Sequence, residues 1–159
     1  MNACTFCGHS RLYGQIDDVK DKCLTIVEGL VVSGAADCFL VGNYGDFDSI
    51  AASVCLTLKR KYPQISVNLV IPYYRPHLDD FTKERYNKFD YVISPGLEEV
   101  PYKYRITKAN EYMVNQADTV IAYVKYDGGA AKTLAYAKRH NKQIINLASE
   151  GDYCNGKII

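Results

Sequence analysis

The chain has 159 residues, of which 48% are hydrophobic and 23% are charged. A chain of this size can bury roughly two-thirds of its unfolded surface around one core, which predicts a single domain over residues 1–159. Lys and Arg number 19 and Asp and Glu 18, and the net charge of +1 excludes a global field that attracts nucleic acid or an anionic membrane.

The N-terminal residues show neither the basic nor the apolar region of a signal peptide, and no apolar run approaches the ~20 residues of a membrane span. We therefore expect a cytoplasmic protein. The six cysteines are scattered, mostly in apolar segments, which predicts reduced thiols. Cys4 and Cys7 have CxxC spacing, but no second pair follows at zinc-site distance, so we predict two strand cysteines and no metal site.

Short apolar runs alternate with helical patterns along the chain, which predicts a mainly parallel sheet of about five to six strands with helices on both faces. The predicted strands cover residues 3–7, 38–41, 67–71, 91–93, 118–124 and 143–147. The predicted helices cover residues 16–33, 48–61, 106–117 and 130–140. Residues 72–85 have the least regular pattern. The polar residues 149–159 are predicted to be a peripheral tail outside a core of about residues 3–148.

Three glycine-containing turns join predicted strands to predicted helices, at residues 8–10, 42–48 and 128–131. In a parallel sheet all such turns lie at one edge, where helix N-termini present unpaired N–H groups and a partial positive charge. Glycine lets a ligand approach the backbone closely. The turns therefore predict a ligand crevice. Its predicted binding residues, including two from the helix start at 105–113, are Gly8, His9, Ser10, Arg11, Gly42, Asn43, Gly45, Asp48, Arg105, Asn110, Gly128, Gly129, Lys132 and Thr133.

The second turn carries two aspartates, Asp46 and Asp48, directly before the next helix. Either carboxylate can cap that helix by accepting hydrogen bonds from its first N–H groups. An aspartate here can instead accept hydrogen bonds from ribose hydroxyls, as the acidic residue of dinucleotide-binding folds does. Because one cap suffices, both interpretations stay open.

The third turn has small residues throughout, so a ligand could lie against bare backbone at Gly128 and Gly129. Lys132 and Thr133 add a cation and a hydroxyl that suit phosphate oxygens. The alternative is a simple tight turn in which Asp127 caps the helix and competes with phosphate for the same N–H groups.

The predicted helix start at residues 105–113 brings together charged and polar side chains. Arg105 supplies positive charge, Asn110 can recognise a base or hydroxyl edge, and Glu111 is the best-placed candidate for a catalytic carboxylate. The alternative is a solvated, charged helix start. At the first turn, Ser10 and Arg11 are likewise either ligand contacts or a surface pair.

Residues 39–48, the helix end at 56–63, residues 105–113 and residues 128–132 occur in an order that resembles the SLOG superfamily. The resemblance is to its small, stand-alone YpsA-like members of bacteria and phages, and it covers most of residues 3–148. It implies a Rossmann-like three-layer α/β/α fold that binds a nucleotide or a nucleotide-derived ligand at the carboxyl ends of its strands. Relatives commonly form dimers or larger assemblies.

Some relatives, the LOG-type phosphoribohydrolases, cleave the N-glycosidic bond of nucleoside monophosphates with a PGGxGTxxE motif. Gly128 and Gly129 match that motif, but Asp127, Ala131 and Lys132 replace its proline, third glycine and threonine. Ala135 replaces the catalytic glutamate. The chain therefore lacks the carboxylate that hydrolysis by this route requires.

The leading hypothesis is a binding protein that senses or sequesters a nucleotide or nucleotide-derived molecule, such as an ADP-ribose derivative, with no required cofactor. The alternative is an N-glycosidase or nucleoside-transferase-like enzyme in which Glu111, Asp48 or Asp127 supplies the carboxylate. A third class is a structural or interaction protein with a vestigial pocket. The expected partners are a small molecule and a second copy of the chain, with no nucleic acid and no membrane.

Overall fold

Six strands and five helices alternate along residues 2–148, the part of the chain that the computed structural model describes. The strands are β1 (Ala3–Gly8), β2 (Cys38–Val41), β3 (Ser66–Val70), β4 (Tyr91–Ile93), β5 (Thr119–Tyr123) and β6 (Gln143–Asn146). The helices are α1 (Ile16–Val32), α2 (Asp46–Lys61), α3 (Asp80–Tyr86), α4 (Arg105–Gln116) and α5 (Gly129–Arg139). A short 3-10 helix, Tyr102–Tyr104, leads into α4.

All six strands form one parallel sheet in the order β4-β3-β2-β1-β5-β6. The order runs outward from β1 in one direction as far as β4, and the chain then returns to place β5 on the other side of β1. This reversal puts a topological switch point between β1 and β5, where Gly8 is paired with Tyr123. Open α/β sheets bind ligands outside the carboxyl ends of the strands at such a point.

Alternate strand residues face opposite sides of the sheet, because side chains in a strand alternate with a period of two. Phe6 and Ile121 pack in the same buried cluster as residues of α1 and α2. Their neighbours Cys7 and Ala122 pack in a second cluster with residues of α4 and α5. Two helical layers therefore cover the two faces, and the α/β, Rossmann-like three-layer architecture is confirmed.

The predicted elements agree with the structure to within one or two residues at most boundaries, and β2 and β4 agree at both ends. Helix α2 begins at Asp46, two residues before its predicted start. Helix α2 ends at Lys61 before Pro63, because a proline disfavours helical geometry in the residue that precedes it.

The largest difference is α3, which lies partly within residues 72–85, the segment with the least regular pattern. Asp79 is its N-cap and accepts a hydrogen bond from the backbone N–H of Thr82 at 2.7 Å. Lys83 and Arg85 lie in its last turn, where positive charge interacts favourably with the helix dipole. A local cap and charge pattern thus stabilises a helix too short to show an apolar period.

Five cysteines are free thiols: Cys4, Cys7, Cys23, Cys38 and Cys55. Burial raises the pKa of the Cys7 and Cys23 thiols to about 12, which keeps them protonated at neutral pH. Cys154 and the predicted tail at 149–159 lie outside the described residues. Between residues 2 and 148 no helix is long and apolar enough to cross a membrane.

Candidate functional site

A crevice of about 320 Å³ opens at the carboxyl ends of β1, β2 and β5, beside the switch point. Residues 6–10 at the end of β1, Tyr44 and Asp48 of the second turn, and residues of the third turn form its wall. Ile106 and Asn110 of α4 close the remaining side. A volume of this size is at the lower end of the range of small-molecule sites, which is about 300–1,000 Å³.

The structure brings together residues from all three glycine turns and from α4. The sequence-predicted binding residues in the crevice wall are Gly8, His9, Ser10, Asp48, Asn110, Gly128, Gly129 and Thr133. The predicted residues outside that wall are Arg11, Gly42, Asn43, Gly45, Arg105 and Lys132. The other two candidate carboxylates, Glu111 and Asp127, also lie outside the wall.

Two of the first three N–H groups of α2 are already satisfied by backbone oxygens of the first turn. The backbone N–H of Asp46 donates to Ser10 O at 2.8 Å, and the N–H of Phe47 donates to His9 O at 3.4 Å. Asp46 does not cap the helix, because its Oδ2 accepts a hydrogen bond from the backbone N–H of Leu12 at 3.0 Å. A Cβ at Gly45 would lie 2.5 Å from Ser10 Cα, so glycine is what allows this close contact between the two turns.

Asp48 also departs from the capping interpretation, since its side chain does not bond to the first N–H groups of α2. Its Oδ2 accepts a hydrogen bond from the backbone N–H of Tyr44 at 2.9 Å. A Cβ at Gly42 would lie 2.5 Å from the same oxygen, so Gly42 makes room for the carboxyl group. Burial raises the pKa of Asp48 to about 7, although the Tyr44 bond opposes the rise. The crevice therefore contains a carboxyl group that titrates near neutral pH.

The N-terminus of α5 is open, in contrast to that of α2. Gly128 is its N-cap at a φ of 150°, and no side chain caps the helix, so the expected alternative of an Asp127 cap is not what the structure shows. The N–H groups of Gly129, Ala130 and Ala131 have no hydrogen-bond partner within residues 2–148. Oriented N–H groups at a helix N-terminus bind anions.

His9 joins the first turn to the third. Its Nε2 accepts a hydrogen bond from the backbone N–H of Lys125 at 2.8 Å, so the ring proton of neutral His9 is on Nδ1. The imidazole stacks on the ring of Tyr126 with centroids 3.7 Å apart. Burial, and next the charge of Lys125, lower the pKa of His9, which favours the neutral form.

Helix α4 contributes an amide whose hydrogen-bonding groups are available. The half-buried Asn110 side chain makes no hydrogen bond to any other described residue. Glu111, by contrast, pairs with Lys108 at 3.1 Å. The Arg105 guanidinium donates to the backbone oxygens of Glu98 and Val100, each at 3.0 Å. Of these side chains only Asn110 is placed to contact a ligand in the crevice.

Sequence reasoning missed several residues of the wall, namely Phe6, Cys7, Ile106, Tyr126 and Ala130. Tyr126 and Ala130 had a usable signal, because Tyr126 lies two residues before the third turn and Ala130 belongs to it. Phe6, Cys7 and Ile106 had none, since nothing in a strand or helix pattern distinguishes a wall position from a core position. No group of three or more His, Cys, Asp or Glu side chains in the described part of the chain is arranged to hold a metal ion.

The family model YpsA, described as the YspA SLOG family, matches residues 14–153. The chain belongs to the YspA SLOG family. Two of the three glycine turns at the crevice, the second and the third, lie within the matched residues. A comparison with curated proteins finds no match.

Solved structures share the SLOG fold of the chain. The structure of TM1055 has a TM-score of 0.59 at 16% identity, and the alignment covers 94% of this chain and 75% of the TM1055 chain. A structure of DNA processing protein A from Helicobacter pylori, which concerns its binding of single-stranded DNA, has a TM-score of 0.62 at 14% identity. The alignment covers 98% of this chain and 73% of that protein's chain. The molybdenum cofactor carrier protein from Chlamydomonas reinhardtii has a TM-score of 0.57 at 14% identity, covering 93% and 78%. At these identities the similarity shows the fold.

Proposed function

We propose that the protein is a cytoplasmic small-molecule binding protein that senses or sequesters a nucleotide or a nucleotide-derived ligand, such as an ADP-ribose derivative. The ligand occupies the crevice beside the switch point, and the site requires no metal or further cofactor. A homodimer or larger homo-oligomer is the proposed assembly, which light scattering of the purified protein tests directly.

The contrast between the two helix N-termini carries this proposal. Backbone oxygens of the first turn accept hydrogen bonds from two of the first three N–H groups of α2, whereas all three at the start of α5 remain available, and Gly129 and Ala130 lie in the crevice wall. A phosphate group of the ligand accepts hydrogen bonds from these N–H groups and interacts favourably with the helix dipole. The crevice wall contains no Lys or Arg, so the backbone is the main source of positive potential there.

The remaining groups of the crevice suit the nucleoside part. The Asn110 amide can donate to and accept from a base edge or a ribose hydroxyl. The Asp48 carboxyl accepts a hydroxyl hydrogen bond, and the 59% exposed Tyr44 ring offers a surface on which a base can stack. Two structural neighbours are described as binding or carrying a ligand, one single-stranded DNA and the other the molybdenum cofactor, which supports a binding role.

Calorimetric titration with adenosine, AMP and ADP-ribose tests the proposal. We expect the two phosphorylated compounds to bind more tightly than adenosine by at least tenfold, which corresponds to about 1.4 kcal/mol. Gly129→Asp places a carboxylate at the open helix N-terminus and is expected to abolish that preference. Equal affinities for the three compounds contradict a phosphate site at α5. So does a preference for the phosphorylated compounds that is the same in Gly129→Asp as in wild type.

A catalytic role is the second candidate, and Asp48 is the observation that favours it. A carboxyl group with a pKa of about 7 can donate a proton to the base as it departs and water adds to the ribose carbon, which is the step that the absent glutamate of LOG-type enzymes would assist. Base release from AMP, followed by chromatography with wild type and Asp48→Asn, tests this role. Turnover that the substitution abolishes would establish the enzyme; no turnover leaves the binding function.

A further inference from the structure

A second cavity of about 340 Å³ lies next to the crevice. Tyr44 and Ile106 belong to the walls of both, so the two spaces are neighbours separated by these side chains. The crevice alone holds only a small ligand. A larger molecule bound there can therefore extend past Tyr44 into the second cavity.

The second cavity differs from the crevice in charge. Its wall contains Arg75 and Arg85 and no Asp or Glu, whereas the crevice wall contains Asp48 and no Lys or Arg. Arginine is well suited to bind phosphate or carboxylate, because its planar guanidinium presents five N–H donors in a fixed arrangement. The second cavity is thus the more cationic of the two spaces.

Arg85 is the better defined of the two arginines. Its Nη1 donates a hydrogen bond to Asn43 Oδ1 at 2.7 Å, and no described carboxylate lies within ion-pair distance of it. The residue is half-buried, so its guanidinium has lost part of its hydration without gaining an anionic partner. Asn43, which sequence reasoning placed among the ligand contacts, is a positioning residue for Arg85.

We infer that the second cavity is an anion subsite centred on Arg85, and that the ligand is a nucleotide with a second, separate anionic group that reaches it. The inference rests on the proposed function, since the first phosphate is the one bound at α5. The two anionic groups are recognised differently: the first by backbone N–H groups and the second by a guanidinium that Asn43 holds in place.

Calorimetric titration of AMP, adenosine 3′,5′-bisphosphate and adenosine 2′,5′-bisphosphate tests the inference. We expect at least one bisphosphate to bind wild type at least tenfold more tightly than AMP. Arg85→Gln, which keeps a donor for Asn43, is expected to reduce that preference to below threefold while changing AMP affinity less than threefold. Arg139→Gln is the matched control, because Arg139 lies at the end of α5 beside Tyr136 and outside both walls.

The outcomes separate the two proposals. Binding of AMP with no gain from either bisphosphate leaves the proposed function standing and overturns the second subsite. A bisphosphate preference that survives Arg85→Gln also overturns it. Failure of all three compounds to bind overturns the proposed function itself. Thermal melts of each variant verify that the compared proteins are folded.

Discussion

The imidazole of His9 lies parallel to the ring of Tyr126, with an interplanar angle of 2°. His9 follows β1 and Tyr126 follows β5, so the stack joins the two strands that flank the switch point. The backbone N–H of Lys125 also donates a hydrogen bond to His9 Nε2 at 2.8 Å, and this bond joins the same two segments. The geometry of the crevice therefore depends on a contact between residues 116 positions apart in the sequence.

Replacing His9 with Phe is expected to keep the ring stack and to remove the Nε2 acceptor. The Lys125 N–H then loses its hydrogen bond to the ring, and we expect a loss of about 1 kcal/mol in the free energy of unfolding. Urea denaturation of the variant measures it. His77→Phe is the control, because His77 is exposed. Equal stability of His9→Phe, His77→Phe and wild type would show that the bond contributes nothing.

Asp48→Asn is expected to change stability in a pH-dependent way. The folded-state pKa of Asp48, about 7, lies above its ordinary value of 3.8, so folding favours the protonated form. The stabilising contribution of Asp48 is complete below pH 3.8 and is lost as the pH rises through 7. One pKa unit corresponds to about 1.4 kcal/mol, so a rise from 3.8 to about 7 corresponds to roughly 4 kcal/mol, and at pH 8 we expect the free energy of unfolding of the variant to exceed that of wild type by up to this amount.

Urea denaturation of wild type and Asp48→Asn at pH 4 and pH 8 measures this difference. Asparagine can still accept the Tyr44 N–H bond, so the substitution removes the ionisation and keeps the contact. The same difference between the two proteins at both pH values would mean that Asp48 titrates at its ordinary pKa in the folded protein. Asp46→Asn is a poor control, because the Asp46 carboxylate accepts a hydrogen bond from the backbone N–H of Leu12.

Lys132→Ala is expected to weaken the binding of phosphorylated ligands only modestly. Lys132 is exposed on the first turn of α5 and lies outside the crevice wall, so its charge acts through solvent. We expect AMP affinity to fall about threefold at low ionic strength and adenosine affinity to stay unchanged. Titration at low salt and at 0.5 M salt measures this, since screening removes exposed charge effects. A tenfold loss that persists at high salt would indicate direct contact with phosphate.

The fold was predictable because its signals are local and repeated. Alternating strand and helix patterns indicated the parallel sheet, and a parallel sheet requires Gly8, Gly42 and Gly128 to share one edge. What the sequence could not show is how each polar group is used. Asp46 and Asp48 looked equivalent as caps, yet Asp46 bonds to Leu12 and Asp48 to Tyr44. The Asp46 bond joins segments 34 residues apart, and the Asp48 bond depends on how the backbone of its own turn folds back, so neither choice follows from a strand or helix pattern.

The open N-terminus of α5 makes the sharpest prediction, because one substitution has opposite effects on stability and binding. Gly129 has an ordinary φ, and a Cβ built on it meets no atom within 4 Å, so a side chain fits without strain. In Gly129→Asp the new carboxylate interacts favourably with the helix dipole, and we expect a gain of about 0.3–1 kcal/mol in the free energy of unfolding. The same carboxylate repels phosphate, and we expect AMP affinity to fall at least tenfold.

Gly129→Ala is the matched control, because it adds the Cβ without the charge. We expect it to retain AMP affinity within about threefold, and to be more stable than wild type by roughly 0.4–1 kcal/mol, since alanine restricts the unfolded chain. Calorimetric titration with AMP and adenosine, beside urea denaturation of the three proteins, separates charge from volume. Equal loss of AMP binding in both variants would indicate that the ligand needs the space of the glycine. Unchanged AMP affinity in a folded Gly129→Asp would show that the phosphate does not bind at α5, because a carboxylate at that position competes with phosphate for the same N–H groups.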